Sequence, residues 1–363
     1  MSLDICIEAQ RSYDECTKAR FTVDLSGARS RRWKSEVLSI TVTPPIILST
    51  QPLDDYAEKV LARFGAFKIA AQPTLEGLKR EIAPALALVV RGQVQITAEL
   101  MDAAAQLKVI GRTGVGYDTV DIQAATERGI AVVYTPGAGA RAAAEAAFAF
   151  MLALCKMIAH WDHETKRGNW QSRIASQGTD LDQKILGIIG LGRIGQIVAK
   201  MAKPFEMTTI AYDPYLDPVI AKTLGVELVS LQTLMAQADF VTLHCPQNDE
   251  TMGLINRARL QQMKHGSFLL NLARGGVIES LDPIYEMLLS GQLRGAALDV
   301  FLVEPPDHTH PIFSLQNCLV SPHAMATSEG AMRRIFESMA NDMAAVLSGT
   351  PPQFVVNPEV LKR

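Results

Sequence analysis

From residue 46 onward, short apolar runs alternate with stretches whose apolar residues recur at helical spacing. Short apolar runs bounded by turn signals read as buried strands, and their alternation with helices reads as parallel sheets in an α/β fold. Strands are predicted at Ile46–Ser49, Phe67–Ala70, Leu86–Val90, Lys108–Arg112 and Ala131–Tyr134, with helices over Asp54–Phe64, Leu75–Ile82, Thr97–Ala105 and Ile122–Arg128. These form a first doubly wound unit. After Thr135-Pro-Gly-Ala-Gly139, an Ala-rich helix is expected over Arg141–His160, apolar nearly all round and so in need of cover on several sides.

A second unit follows, with strands at Lys184–Ile189, Thr208–Tyr212, Phe240–His244, Ser267–Leu272, Ala296–Phe301 and Leu319–Ser321. The tail over Ala331–Leu347 has helical spacing through Ile335, Met339, Met343 and Val346, and is expected to pack back on the first unit. The expected architecture is therefore α/β with two doubly wound parallel-sheet domains. A flavodoxin-like substrate domain spans 46–144 and 326–363, and a Rossmann nucleotide-binding domain spans 145–325. Residues 1–45 mix both signs of charge, include Arg29-Ser-Arg-Arg-Trp-Lys34 and end at Pro44-Pro45; they read as a flexible N-terminal extension.

Between the first two strands of the second unit lies Gly190-Leu-Gly192-Arg193-Ile194-Gly195, and the second of those strands ends on Tyr212-Asp213, eighteen residues after Gly195. Strand, glycines, helix, strand and terminal carboxylate in that order form a dinucleotide fingerprint. Gly190 permits the tight turn, Gly192 lets a pyrophosphate approach the backbone, and Gly195 lets helix pack on strand. The helix N-terminus then faces the anion. A carboxylate at Asp213 suits ribose hydroxyls and repels a 2′-phosphate, which points to NAD as the cofactor.

Composition removes several other classes. The 363 residues carry a formal net charge of −3 and a pI of about 6.2, which gives no sign of a nucleic-acid or anionic-membrane partner. The apolar stretch Ala142–Cys155 contains Glu145 and stops at Lys156, too short to span a bilayer. Cys6, Cys16, Cys155, Cys245 and Cys318 are widely spaced, against a disulfide framework or structural zinc. The start shows no secretory pattern, so a reducing cytoplasm is expected.

Three polar groups fall at strand ends, where ligands of open parallel sheets lie. They are Arg274 in Asn271-Leu-Ala-Arg-Gly-Gly276, Glu304 after Leu298-Asp299, and His323 in Ser321-Pro-His323. A guanidinium fork suits a carboxylate. An imidazole exchanges a proton at neutral pH, and a carboxylate on its far nitrogen fixes its tautomer and favours its protonated form. Together they suit hydride transfer at C2 of a 2-hydroxy or 2-oxo acid, without a metal. His160 and His163 read as the exposed end of the long helix, while His308 and His310 are placed at the cleft rim.

The segments 190–195 with Asp213, 271–276, 295–306 and 321–323 resemble the D-isomer-specific 2-hydroxyacid dehydrogenases, a family that includes phosphoglycerate dehydrogenases and glyoxylate/hydroxypyruvate reductases. The resemblance runs from about residue 46 to Pro358. It implies Arg274, Glu304 and His323 as the catalytic set, Asp299 as holder of the nicotinamide carboxamide, and Cys245-Pro246 and Leu272-Ala273 as cofactor lining. It further implies that the loop Arg112-Thr-Gly-Val115-Gly116 offers the substrate carboxylate the N–H groups of Val115 and Gly116, with Arg112 nearby. Glu304 argues against formate dehydrogenase, which pairs its histidine with glutamine.

Phosphoglycerate dehydrogenases usually carry Asn after the loop's Asp, whereas Thr119 follows Asp118, and little chain follows Pro358 to form an appended regulatory domain. The expected substrate is accordingly a small 2-oxo acid of the glyoxylate/hydroxypyruvate type, with D-3-phosphoglycerate as the alternative. An NAD-sensing corepressor or scaffold is the alternative of another class. A homodimer through the Arg141–His160 region is expected.

Overall fold

A computed structural model of the chain describes residues 44–175 and 177–362, so the N-terminal extension up to residue 43 lies outside the described residues. The chain divides into two compact units. One holds the described residues up to Tyr134 together with those from Met339 onward, and the other is Thr135–Ser338.

In the first unit, strands β1 (Ile46–Ser49), β2 (Ala66–Ile69), β3 (Ala85–Val90), β4 (Val109–Arg112) and β5 (Ala131–Val133) form one sheet. Its order is β2-β1-β3-β4-β5, all parallel, the flavodoxin-like arrangement. Helices α1 (Asp55–Leu61), α2 (Leu75–Glu81), α3 (Ala98–Asp102) and α4 (Ile122–Glu127) fill the crossovers. Asp54, Thr74, Thr97 and Asp121 each accept the N–H three residues on and stand just outside the helices as N-caps. At their other ends α1 and α3 stop short of the predicted Phe64 and Ala105, where Phe64 N and Ala104 N close tighter turns on the Leu61 and Met101 carbonyls.

The second unit carries α5 (Ala140–Cys155), α6 (Ile158–Lys166), β6 (Ile185–Ile189), α7 (Arg193–Ala202), β7 (Thr208–Tyr212), α8 (Pro218–Leu224) and β8 (Glu227–Leu228). It continues with α9 (Leu231–Gln237), β9 (Phe240–Leu243), α10 (Arg257–Gln262), β10 (Ser267–Asn271), α11 (Leu281–Leu289), β11 (Leu293–Leu298) and β12 (Cys318–Val320). The parallel order β12-β11-β10-β9-β6-β7-β8 reverses direction between β6 and β9, the switch point where ligands of such sheets bind.

The single helix expected over Arg141–His160 is broken. Thr179 donates its N–H to the Cys155 carbonyl at 2.7 Å, taking the acceptor that a continuing helix would give to Ala159. Met157 then turns left-handed (φ 53°, ψ 40°), and α6 starts anew. The cover that α5 needs comes from α7, β10 and β11, with Phe148 stacked on Phe205 at 5.2 Å. This packing draws the whole of α5 into the second unit, whose boundary at Thr135 precedes the 144/145 division read from sequence. At the other end the division falls at 338/339, inside α12 (Glu329–Leu347).

Met339 and Met343 of α12 pack where a side chain at Gly111 of β4 would stand. Asn357 completes the edge of the first sheet, accepting from Val132 N at 2.8 Å and donating to Ile130 O at 2.9 Å. Among the described residues, no single helix is long and apolar enough to cross a membrane.

Candidate active site

The glycine turn stands at the carboxyl end of β6. Gly190 has φ +91°, and a Cβ there would lie 2.6 Å from Cys245 N at the end of β9. Only glycine fits both that backbone and that contact. A Cβ on Gly195 would collide with the Gly190 carbonyl, so α7 lies directly against the turn. Gly192 differs from both: a Cβ there meets nothing within 4 Å, and this residue is the N-cap of α7 without a side-chain cap bond. The chain's own packing explains the outer two glycines, while the middle one borders open space before uncapped helix N–H groups. That is the chemistry of an anion cradle. Arg193 is exposed there, and Ile194 is half-buried.

Asp213, at the end of β7 beside Tyr212, accepts from Leu191 N at 2.9 Å and from Tyr215 N at 3.1 Å. It therefore braces the glycine turn, a duty its sequence position does not announce. Its two oxygens retain further lone pairs for ribose hydroxyls. Cys245 and Ala273 are buried, while Leu272 is half-buried and Pro246 exposed, all beyond the carboxyl ends of β9 and β10. Burial pushes the Cys245 thiol up to about 11.

His244, unmarked by the sequence reading, shares this edge. Its Nε2 lies 3.0 Å from Thr242 Oγ1, and its Nδ1 is buried with no hydrogen-bond partner among the described residues. Burial lowers its pKa to about 4, so the imidazole is neutral at physiological pH.

Arg274 follows β10 in a tight turn. Asn271 holds that turn from within, donating Nδ2 to the Arg274 carbonyl at 2.9 Å and accepting from Ala273 N at 3.1 Å. Arg274 Nη1 donates to the Ala273 carbonyl at 2.8 Å, so the half-buried guanidinium is tied to its own turn. A Cβ on Gly275 would overlap the Phe301 carbonyl, which brings the turn against the segment that leads to Glu304.

Glu304 Oε1 accepts from Phe301 N at 3.1 Å, and Oε2 lies 3.0 Å from His323 Nδ1. An ionised carboxylate only accepts, so this contact assigns the proton to Nδ1 and leaves Nε2 to the site. The His323 side chain is 38% exposed against 20% for Glu304, in keeping with a carboxylate held behind a ring that faces outward.

His323 itself has φ 55°. This left-handed backbone is held by Asp299. The Asp299 carbonyl accepts from His323 N at 2.8 Å, and its buried Oδ1 accepts from Ser321 Oγ at 2.5 Å, Ala324 N at 3.0 Å and Met325 N at 3.3 Å. No protein donor meets Oδ2 among the described residues. Asp299 thus shapes the turn that carries the histidine. Sequence spacing places it at a strand end but does not reveal this role.

In the first unit, Arg112 ends β4 and donates Nη1 to Val90 O at 3.1 Å. Gly114 follows with φ +140°, and Val115 is exposed. The N–H groups of Val115 and Gly116 meet no protein acceptor among the described residues. Thr119 is buried, and its hydroxyl has no hydrogen-bond partner among the described residues.

His310 is not a free rim residue. Its Nδ1 accepts from Ile312 N at 3.2 Å, and its Nε2 faces Asp282 Oδ1 at 3.1 Å, which caps the turn before β12. His160 pairs with Gln316 Oε1 at 3.0 Å.

A family model described as "D-isomer specific 2-hydroxyacid dehydrogenase, NAD binding domain" matches residues 148–325. The D-3-phosphoglycerate dehydrogenase of Archaeoglobus fulgidus is 38% identical over 312 residues, covering 86% of this chain and 59% of that protein. The hydroxypyruvate reductase of Thermotoga maritima is 40% identical over 287 residues, covering 78% of this chain and 92% of that protein. The crystal structure of the TT0316 protein from Thermus thermophilus superimposes with a TM-score of 0.79 at 34% identity, over 86% of this chain and 99% of that one. The chain spans about half the length of the phosphoglycerate dehydrogenases it matches.

Proposed function

The chain belongs to the D-isomer-specific 2-hydroxyacid dehydrogenase family, and on that premise we propose that it interconverts a small D-2-hydroxy acid and its 2-oxo acid with NAD. The observation that carries this is the Glu304–His323 pair at 3.0 Å, joined through Phe301 to the turn bearing Arg274.

The residues fit the dinucleotide. The space before Gly192 and the uncapped start of α7 suit its pyrophosphate, and Asp213 suits an unphosphorylated ribose. Bound there, NAD supplies the acceptor or donor of hydride.

Arg274 binds the substrate carboxylate. His323 Nε2 gives a proton to the C2 oxygen in reduction and takes it back in oxidation, while Glu304 holds Nδ1–H and stabilises the imidazolium. The N–H groups of Val115 and Gly116 in the first unit suit a carboxylate as well. The free buried thiols of Cys155, Cys245 and Cys318 support a reducing, cytoplasmic setting.

Glyoxylate or hydroxypyruvate is the favoured substrate, supported by the 40% identity to a hydroxypyruvate reductase. D-3-phosphoglycerate is the second reading, supported by relatives of that name at 38 to 42% identity. Specificity constants for NADH oxidation with glyoxylate, hydroxypyruvate, pyruvate and 3-phosphohydroxypyruvate decide between them. A value for the phosphorylated acid above those of the others would overturn the favoured substrate.

Association with a second copy also has support, though less from α5, which is covered within its own unit, than from the residues after it. Between Ile158 and Asp180 no described residue is buried, and Ile158, Trp170 and Ile174 are exposed. A Trp170→Glu chain that sedimented like the wild type as a dimer would refute this surface.

A further inference from the structure

The turn that presents Arg274 is also held from outside, by Gln247. This half-buried residue follows Cys245-Pro246 beyond β9, and its Oε1 accepts from Gly276 N at 3.0 Å. A Cβ on Gly276 would stand 2.5 Å from that oxygen and 2.7 Å from the amide carbon, so the carboxamide lies flat against the glycine. On the neighbouring residue, the space for a Gly275 side chain is filled by the Phe301 carbonyl. The turn is therefore clasped between the loop after β9 and the loop after β11.

The carbonyls of the turn are also held: that of Arg274 by Asn271, that of Gly275 by Ile278 N at 3.1 Å, and that of Gly276 by Gly253 N at 2.8 Å. The Gly276 N–H has Gln247, and Gly276 is buried. Without that acceptor the turn must shift to bring the N–H to water. The guanidinium would shift with it, because Arg274 Nη1 is bonded to the Ala273 carbonyl of the same turn. Bidentate recognition of a carboxylate is sensitive to orientation, so such a shift is felt at the substrate.

We propose that Gln247 is a positioning residue for Arg274, fixing the guanidinium for the substrate carboxylate. The proposal rests on Arg274 being the carboxylate anchor. It gives Gln247 no contact with substrate or cofactor.

The test uses the NADH-loaded full chain. Gln247→Leu keeps the bulk and removes the acceptor, while Gln247→Ser admits water to the Gly276 N–H and covers the case in which the leucine variant does not fold. For Gln247→Leu the KM for hydroxypyruvate should rise about five- to tenfold, with kcat and the Kd for NADH within about twofold, the scale of one unsatisfied buried donor. Gln247→Ser should move the same way by less. In an Arg274→Lys background the same replacement should add less than about twofold, because the two residues act through one group.

An unchanged KM overturns the proposal. So does an equal loss of NADH affinity, or an undiminished effect in the Arg274→Lys background, either of which makes Gln247 merely structural. Titration with oxamate, a non-reducible carboxylate, separates this from failure of the functional reading. A wild type that turns over no 2-oxo acid but binds oxamate through Arg274 loses the activity, and the oxamate affinity of Gln247→Leu then decides the proposal. A wild type that neither turns over a 2-oxo acid nor binds oxamate overturns both.

Discussion

Replacing Asp299 by Asn tests how His323 is placed for the proposed proton transfer. Asp299 is buried, and its Oδ1 takes three donors from the turn Ser321–Met325. Hydrogen bonds to a charged acceptor contribute about 1.5–3 kcal/mol each, and neutral ones about 1 kcal/mol. Asparagine keeps one acceptor oxygen but loses the charge. Ala324 is exposed, so water can serve one of the three donors. The net loss should be about 1–2 kcal/mol, a Tm decrease of about 2–8 °C for a domain of this size.

Activity should fall much further, because the same turn sets the position of His323 Nε2, and a misplacement of about 1 Å in a reacting group costs on the order of a hundredfold. The expected outcome is kcat lowered about 30- to 100-fold, with the Kd for NADH changed less than about threefold. Thermal melts, NADH fluorescence titration and initial rates on one preparation give all three quantities. A variant with near-normal kcat and a lowered Tm would refute the placement argument. Loss of NADH affinity as the main effect would instead favour the nicotinamide-carboxamide role that the sequence resemblance implies.

Other consequences are as direct. Arg274→Lys should raise the KM for a 2-oxo acid at least about tenfold by losing the planar fork, with NADH binding intact; an unchanged KM would remove Arg274 as anchor. His244, held near pKa 4 when folded against 6.5 in its unperturbed state, binds a proton more readily when unfolded. Its stabilisation is complete above about pH 6.5 and is lost as pH falls towards 4, by about 2–4 kcal/mol in all. Stability of the wild type should thus fall more steeply than that of His244→Gln between pH 7 and pH 5, and parallel curves would sink the assignment. Asn357→Ala leaves Val132 N and Ile130 O without their partner inside the first unit and should cost about 2–4 kcal/mol in urea unfolding; a loss below about 0.5 kcal/mol would contradict it.

The strands were legible because buried parallel strands are short apolar runs, and Ile46–Ser49 and Thr208–Tyr212 fall where the pattern places them. The two-residue β8 is too short to show any pattern. The break at Met157 was hidden for a different reason. Its cause is the N–H of Thr179, more than twenty residues away, and a methionine gives no local sign of a left-handed backbone.

At the site, Gly190–Gly195, Arg274, Glu304 and His323 carried their own signal through residue type and position at strand ends. Asp299 was visible as a carboxylate at a strand end but its hold on the turn of His323 was not, and Gln247 carried no signal, because their work consists of hydrogen bonds between loops whose registry only the folded sheet sets. Asp213 was marked in the sequence as a carboxylate suited to a ribose, but its bond to Leu191 N depends on how the turn closes.

The central claim is that His323, held by Glu304, moves the proton while NADH reduces a 2-oxo acid. It is tested most directly by the absorbance of NADH at saturating hydroxypyruvate or glyoxylate, for the wild type and for His323→Ala with NADH shown to be bound in both. Steady NADH oxidation by the wild type is expected, with a loss of at least about a hundredfold in the variant. NADH bound but not consumed by the wild type with either acid, or equal rates in the two proteins, would contradict it.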